Sequence, residues 1–205
     1  QHNLATLRER GALVVGPVSG RLASGGEGMG RMAEPEDIAA ATAMALGRNG
    51  DMAGARLLVT AGPTQEPIDP VRFVGNRSSG KMGYALAKAA RDRGAAVTLI
   101  SGPVALRPPF GVDLIMIQTA AEMGAAVQAH SRDADALIMS AAVADYRPAA
   151  VAGHKIKKGQ ESLTLELERT MDVLGALAGA PLVKVGFAAE TGDPRAEGGR
   201  KRQQK

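Results

Sequence analysis

Four short apolar runs, each closed by a turn residue, set the limits on what this chain can fold into. They are Leu57–Thr60, Ala96–Ile100, Asp113–Gln118 and Asp135–Ser140. Between the first two, a helical pattern runs from Lys81 to Arg93 and stops at Gly94, as helices commonly do at glycine. Before the fourth, Thr119 and Glu122 hold the spacing of a capping box for a helix beginning at Ala120. Strands alternating with helices at this spacing predict right-handed crossovers and an α/β fold built on a doubly wound, mostly parallel, Rossmann-like sheet. The residues available for a core agree: 45% are apolar but only 2% aromatic. Ala, Val, Leu, Ile and Met suit helices packed on a parallel sheet better than an aromatic-rich sandwich. In such sheets ligands bind outside the carboxyl ends of the strands. That places Thr60-Ala61-Gly62, Ser101-Gly102 and Ala141-Ala142 around one crevice.

The stretch Leu57 to Gly83 carries the strongest chemical signal. A strand breaks at Ala61-Gly62-Pro63, a polar loop follows, and a helix starts near Gly80. Backbone N–H groups and the positive end of a helix dipole then point the same way, which suits an anion. Gly75 to Lys81 has the Walker A spacing, but Met82 stands where that motif needs a hydroxyl for magnesium, and Phe73-Val74 is too short for its strand. What remains is a cluster of small or polar residues, Asn76, Ser78, Ser79 and Gly80, at a helix start. Plain capping by Ser78 or Ser79 accounts for one serine, not for the cluster.

Towards the N-terminus, Gln1 to Arg10 reads as the end of a helix and Ala12–Val15 as a short strand. Gly20 to Met32 holds five glycines in thirteen residues, and a surface linker and a mobile flap over a site are both open. A helix from Glu36 to Leu46 follows Pro35, and Gly47–Gly50 marks a boundary, dividing the chain into 1–50 and 51–205. Beyond the fourth strand, Asp145 and Arg147 sit in apolar surroundings, either as a surface pair or as functional charges. Lys155, Lys157 and Lys158 form a solvated face or fold back over phosphates. Leu163–Glu168 alternates as a half-exposed strand, Thr170 caps a short helix with Asp172 in its first turn, and Leu182–Phe187 is a last core strand leading to Ala188–Thr191.

Several classes are disfavoured. There is no cysteine, so disulfides, thiolate metal sites and cysteine nucleophiles are excluded. His2, His130 and His154 show no metal spacing. The net charge is +4, but Arg195, Arg200, Lys201, Arg202 and Lys205 against Glu197 account for it. Removing these five and one from 25 basic and 21 acidic residues leaves 20 of each. Without a basic stripe interleaved with aromatics, nucleic acid is not the expected partner. No apolar run nears the roughly 18 residues of a membrane helix, and no signal peptide is evident, so a cytoplasmic protein is expected.

Taken together, TAGPTQEPIDPVRFVGNRSSGKMG, SAAVADYRP, KIKK and VGFAAET resemble the phosphopantothenate–cysteine ligase half of the bifunctional coenzyme A biosynthesis family. GPVSGRLASGGEGMGRMAEPEDI is similar to the end of its phosphopantothenoylcysteine decarboxylase half, a flavodoxin-like domain contributing its last strand, flap and helix. The resemblance implies CTP as a substrate with Mg2+. The carboxylate of 4′-phosphopantothenate attacks the α-phosphate, giving an acyl-cytidylate and pyrophosphate, and the cysteine amine then displaces CMP. It implies that Asn76 handles the acyl-cytidylate, Lys155 contacts the phosphates and Asp145 the cytidine. Gly62, Ser78, Ser79, Gly80, Met139, Ser140, Ala141, Met171, Asp172, Val173, Leu174 and Phe187 would complete the nucleotide pocket. It implies FMN in the decarboxylase half, in a body preceding Gln1, and a homo-oligomer.

Two departures follow. Ser24 stands where many relatives carry a cysteine that donates a proton in the decarboxylase, and serine has a far higher pKa. Past Thr191 the family carries a further strand and phosphate-binding lysines, where this chain has RAEGGRKRQQK with Lys201 near such a position, so the sequence is expected to be cut short. Two other functions compete. An NAD(P)-linked reductase needs a Gly-x-Gly-x-x-Gly turn, which Ala61-Gly62-Pro63-Thr64 does not supply. A non-catalytic nucleotide-binding or subunit-association module fits the incomplete C-terminus.

Overall fold

Local patterning accounts for most of the elements, in chain order. The computed structural model describes residues 2–159, 162–187 and 199. Helix α1 (His2–Glu9) leads through an irregular stretch to an antiparallel hairpin of β1 (Val18–Arg21) and β2 (Glu27–Arg31), then to α2 (Pro35–Gly47). The strand expected at 12–15 is absent; these residues are irregular, since a lone apolar run gains nothing without a ladder to join. The glycine-rich segment forms the β1–β2 hairpin. Its turn is closed by Gly25 N–H to Leu22 O (2.9 Å) and Leu22 N–H to Gly26 O (2.8 Å).

The sheet begins at β3 (Arg56–Ala61). A short antiparallel hairpin, β4 (Gln65–Pro67) with β5 (Phe73–Gly75), is inserted before α3 (Lys81–Asp92). There follow β6 (Ala96–Ser101), β7 (Asp113–Met116), α4 (Ala120–Ser131) and β8 (Ala136–Met139). A second small hairpin pairs β9 (Tyr146–Pro148) with β10 (Leu167–Arg169), and a single 3-10 turn (Gly175–Leu177) precedes β11 (Val183–Gly186). The capping box is present at α4: Thr119 accepts from Glu122 N–H and Glu122 reaches back to the Thr119 backbone. Thr170, by contrast, caps nothing. Its hydroxyl donates to Ala144 O at 2.6 Å, while Asp172 accepts from Gly175 N–H at 3.0 Å and opens the 3-10 turn. The backbone groups waiting at each place decide which side chain caps.

The five main strands lie parallel in the order β11-β8-β3-β6-β7. Strand β3 is central; the chain winds outward through β6 and β7, returns, and winds the other way through β8 and β11. This is the doubly wound arrangement, with its strand order reversing between β3 and β8. The pleat sends alternate residues to opposite faces. Leu57, Val59 and Ala61 pack with Tyr84 and Ala87 of α3, whereas Leu58 joins Met123 and Val127 of α4. The sheet is therefore sandwiched between helices. Strand β11 is an exposed edge rather than a core strand, with Val183 and Val185 open to solvent. Residues 188–191, expected to extend it, lie outside the described residues, as do Lys201 and the basic tail.

Candidate functional site

The reversal between β3 and β8 fixes where the polar loops meet. Beyond the strands the two chains stay tied together. Ala142 N–H donates to Gly62 O at 2.8 Å, Ala144 N–H to the Thr64 hydroxyl at 2.9 Å and Ala141 N–H to the Thr60 hydroxyl at 3.2 Å. The Ser140 hydroxyl donates to Thr60 O at 2.5 Å. Asn76, just past β5, donates through Nδ2 to Val143 O at 2.9 Å, so the loop leading to α3 is clamped to the loop leaving β8. The carboxamide spends one of its two hydrogens there.

Helix α3 begins in this crevice. Gly80 is its N-cap with φ 72°, a left-handed conformation natural only to glycine. Ser78 Oγ accepts from Gly80 N–H at 3.3 Å, but no side chain caps the first turn of α3. Its first N–H groups and dipole thus meet no side-chain cap among the described residues. One turn in, Gly83 rests on the sheet so closely that a Cβ would lie 2.5 Å from Ala61 Cβ, 2.7 Å from Ser140 Oγ and 2.8 Å from Thr60 O. A dinucleotide-binding turn concentrates its glycines in six residues after the strand. Here the turn glycine, Gly62, is separated from Gly80 and Gly83 by the inserted β4–β5 hairpin, yet a Cβ on Gly80 would lie only 3.4 Å from Gly62 N. The Walker A reading fails for a related reason, because Gly75 closes an antiparallel hairpin strand, not a strand of the parallel sheet.

The expected site residues fall into groups. Asn76, Ser78, Ser79, Gly80, Gly62, Ser140 and Ala141 converge on the β3–β8 junction. Phe187 stands beside them at the end of β11, its N–H donating to Met139 O at 3.2 Å, and its ring is half exposed. Val173 and Leu174 belong to the core cluster that also contains Met139, Ala141 and Val143, so they shape the wall from behind. Met171 lies over Gly124 of α4. Asp145 is exposed, and the alternative of an Asp145–Arg147 surface pair is not formed; Arg147 pairs instead with Glu168 at 2.8 Å across β9–β10. Ser24 sits in the exposed turn of the separate β1–β2 hairpin.

Two buried carboxylates in the inserted hairpin escaped the sequence reading. Glu66, in β4, accepts from Ala120 N–H at 2.8 Å and pins the hairpin to the start of α4. Asp69, in the turn after β4, accepts from Val71 and Arg72 N–H at 2.8 and 2.9 Å and from Ile156 N–H at 3.1 Å. Arg72 adds Nε and Nη2 at 3.0 and 2.6 Å. Burial pushes the Asp69 carboxyl up, but the backbone donors of Val71 and Ile156 and the Arg72 guanidinium outweigh it and hold the group well below the ordinary carboxylate range. The available signal was two acids, Glu66 and Asp69, interleaved with Pro67 and Pro70 in a short turn. Lys155 is exposed, directly before the Ile156 that Asp69 and Arg72 hold. Among the described residues no group of three or more His, Cys, Asp or Glu is placed to hold a metal, and no helix is long and apolar enough to cross a membrane.

A doubly wound α/β domain with an open helix N-terminus and a carboxamide clamp at its switch point is the class these observations define. The chain belongs to the family of the DNA/pantothenate metabolism flavoprotein C-terminal domain, whose model matches residues 52–205. It is 52% identical over 205 residues to the coenzyme A biosynthesis bifunctional protein CoaBC of Mycobacterium bovis, covering 93% of this chain and 49% of that protein. Its fold is similar to the crystal structure of the C-terminal domain of CoaBC, with a TM-score of 0.66, 45% identity, and coverage of 74% and 73%. It also matches the DNA/pantothenate metabolism flavoprotein from Streptococcus pneumoniae, with a TM-score of 0.64, 25% identity, and coverage of 73% and 77%. The chain spans about half the length of the curated relatives it matches.

Proposed function

We propose that this chain carries the ligase portion of a coenzyme A biosynthesis protein, joining the carboxylate of 4′-phosphopantothenate to the amine of cysteine at the expense of CTP. The observation that carries this reading is the clamp of Asn76 on Val143 O beside the open N-terminus of α3, in a chain half identical to CoaBC proteins. The carboxylate attacks the α-phosphate, pyrophosphate leaves, and the cysteine amine displaces CMP to form the amide. The first turn of α3 with Ser78, Ser79 and Gly80 receives phosphate oxygens. Gly62, Ser140, Ala141, Asp145, Met171, Asp172 and Phe187 surround the nucleoside. Asn76 and Lys155 stabilise charge developing at phosphorus without exchanging protons. Among the described residues no carboxylate cluster would hold Mg2+, so the ion would enter with the triphosphate and would supply charge neutralisation there. FMN and the decarboxylase reaction belong to the other half of the bifunctional relatives. Ser24 receives no catalytic task from its exposed turn.

The full-length protein supplied with CTP, phosphopantothenate and cysteine releases pyrophosphate and forms the amide on this reading. CTP binding without pyrophosphate release refutes it in favour of a binding or association module. A nicotinamide-linked reductase is less well supported, because the β4–β5 hairpin follows Gly62 where that cofactor's glycine turn would continue.

A further inference from the structure

The two residues assigned to charge stabilisation, Asn76 and Lys155, are far apart in sequence and lie on separate loops. The Asn76 loop is held where it leaves β5, by the strand and by the bond of Asn76 to Val143 O. Next to Lys155, the segment is held at Ile156 through both of its backbone groups. Its N–H donates to Asp69 Oδ2 at 3.1 Å and its carbonyl accepts from Arg72 Nη2 at 2.8 Å. Both partners belong to the β4–β5 turn, and Arg72 is itself oriented by Asp69 Oδ2. A second tie, Ala152 N–H to Ile68 O at 2.9 Å, meets the same turn. The Asp69 side chain is fully buried, although it sits in a surface hairpin. It divides its two oxygens: Oδ1 closes its own turn through Val71 and Arg72 N–H, and Oδ2 reaches outward to Ile156 and the guanidinium. Turn closure alone needs only the first.

We infer that Asp69 is a positioning residue, whose Oδ2 fixes the Lys155–Ile156 peptide to the hairpin that leads into Asn76 and so anchors the backbone from which Lys155 reaches the site. It touches no substrate. This rests on the ligase reading for what Lys155 contacts, but the mechanical link stands on the hydrogen bonds alone. Misplacing a charge-stabilising group by an ångström is enough to cost up to about a hundredfold in rate.

The test uses the full-length protein with Asp69→Asn and Asp69→Ser. Both keep an oxygen to accept from the turn N–H groups and lose the anionic Oδ2. Limited trypsin digestion, read by mass spectrometry, reports the link without reference to activity. The Lys155–Ile156 bond is protected in the wild type and is cut at least about tenfold faster in both variants, while Glu168→Gln on β10 leaves its rate unchanged. In steady-state assays both variants lower kcat at least about tenfold and leave the KM for cysteine within about twofold, while the fraction of protein that binds CTP stays at the wild-type level. A purely structural role would lower the CTP-binding fraction in step with kcat, and that pattern overturns the proposal. Unchanged cleavage at Lys155 also overturns it, as does loss of a cooperative melt in both variants, since Asp69 would then hold the fold rather than a segment. Faster cleavage in the variants of a protein that never releases pyrophosphate supports the link and refutes the ligase reading, so the two failures are distinguishable.

Discussion

Replacing Gly83 by alanine tests the close approach of α3 to the β3–β8 junction. In an exposed helix this change gains about 1 kcal/mol, because alanine loses less backbone entropy than glycine. Here the new methyl would stand 2.5 Å from Ala61 Cβ and 2.8 Å from Thr60 O, where carbon atoms pack best at about 3.5–4.0 Å. Both neighbours are fixed, one a Cβ on the central strand and the other a main-chain carbonyl, so the helix start must retreat by about an ångström. Overpacking of this kind costs about 1–3 kcal/mol. The methyl also meets Ser140 Oγ at 2.7 Å, displacing a hydroxyl whose bond to Thr60 O contributes about 1 kcal/mol. The net expectation is a loss of about 1–3 kcal/mol, or several degrees in Tm for a chain of this size. Urea unfolding followed by far-UV circular dichroism measures it. Gly124→Ala in α4 is the comparison: its methyl would meet the Met171 thioether, the end of a flexible, half-exposed side chain that can swing aside. That variant should be as stable as the wild type or more so. If Gly83→Ala is likewise neutral or stabilising, the start of α3 is not held against β3 at this point.

Other expectations concern the polar groups. Asn76→Asp should keep CTP binding within a few-fold but lower amide formation by roughly 10²–10³, as loss of one charge-stabilising donor does; normal amide yield removes its assignment. Glu66→Ala leaves Ala120 N–H buried without its acceptor and should cost about 1–3 kcal/mol, whereas Glu66→Gln retains an acceptor oxygen and should cost less; equal losses in urea melts refute the capping role. Asp69 is held below its unfolded value, so its ionised form stabilises the protein above the ordinary carboxylate value of about 4 and that stability is lost as pH falls. The difference in Tm between wild type and Asp69→Asn should therefore stay constant above about pH 5 and shrink below about pH 4; a gap that persists to about pH 2 contradicts the sign.

The sequence by itself determined the elements whose causes are local. The apolar runs at 57–60, 96–100 and 135–140 became parallel strands, Gly94 ended α3, and Thr119 with Glu122 opened α4. Each is decided by neighbours within a turn or two, through periodicity, a cap or a left-handed glycine. The placement of Asn76, Ser78 and Gly80 at a helix start was legible for the same reason. Only the tertiary structure decided what these pieces meet. The glycines of 20–32 became a hairpin because two strands were available to pair, and 12–15 stayed irregular because none was. Arg147 chose Glu168 over Asp145 because β9 and β10 are antiparallel neighbours. The bonds that build the site join residues 54 to 87 positions apart: Glu66 to Ala120, Asn76 to Val143, Asp69 to Ile156. No local pattern encodes such pairs. They exist because a buried carboxylate or amide must find its partner wherever the fold brings one.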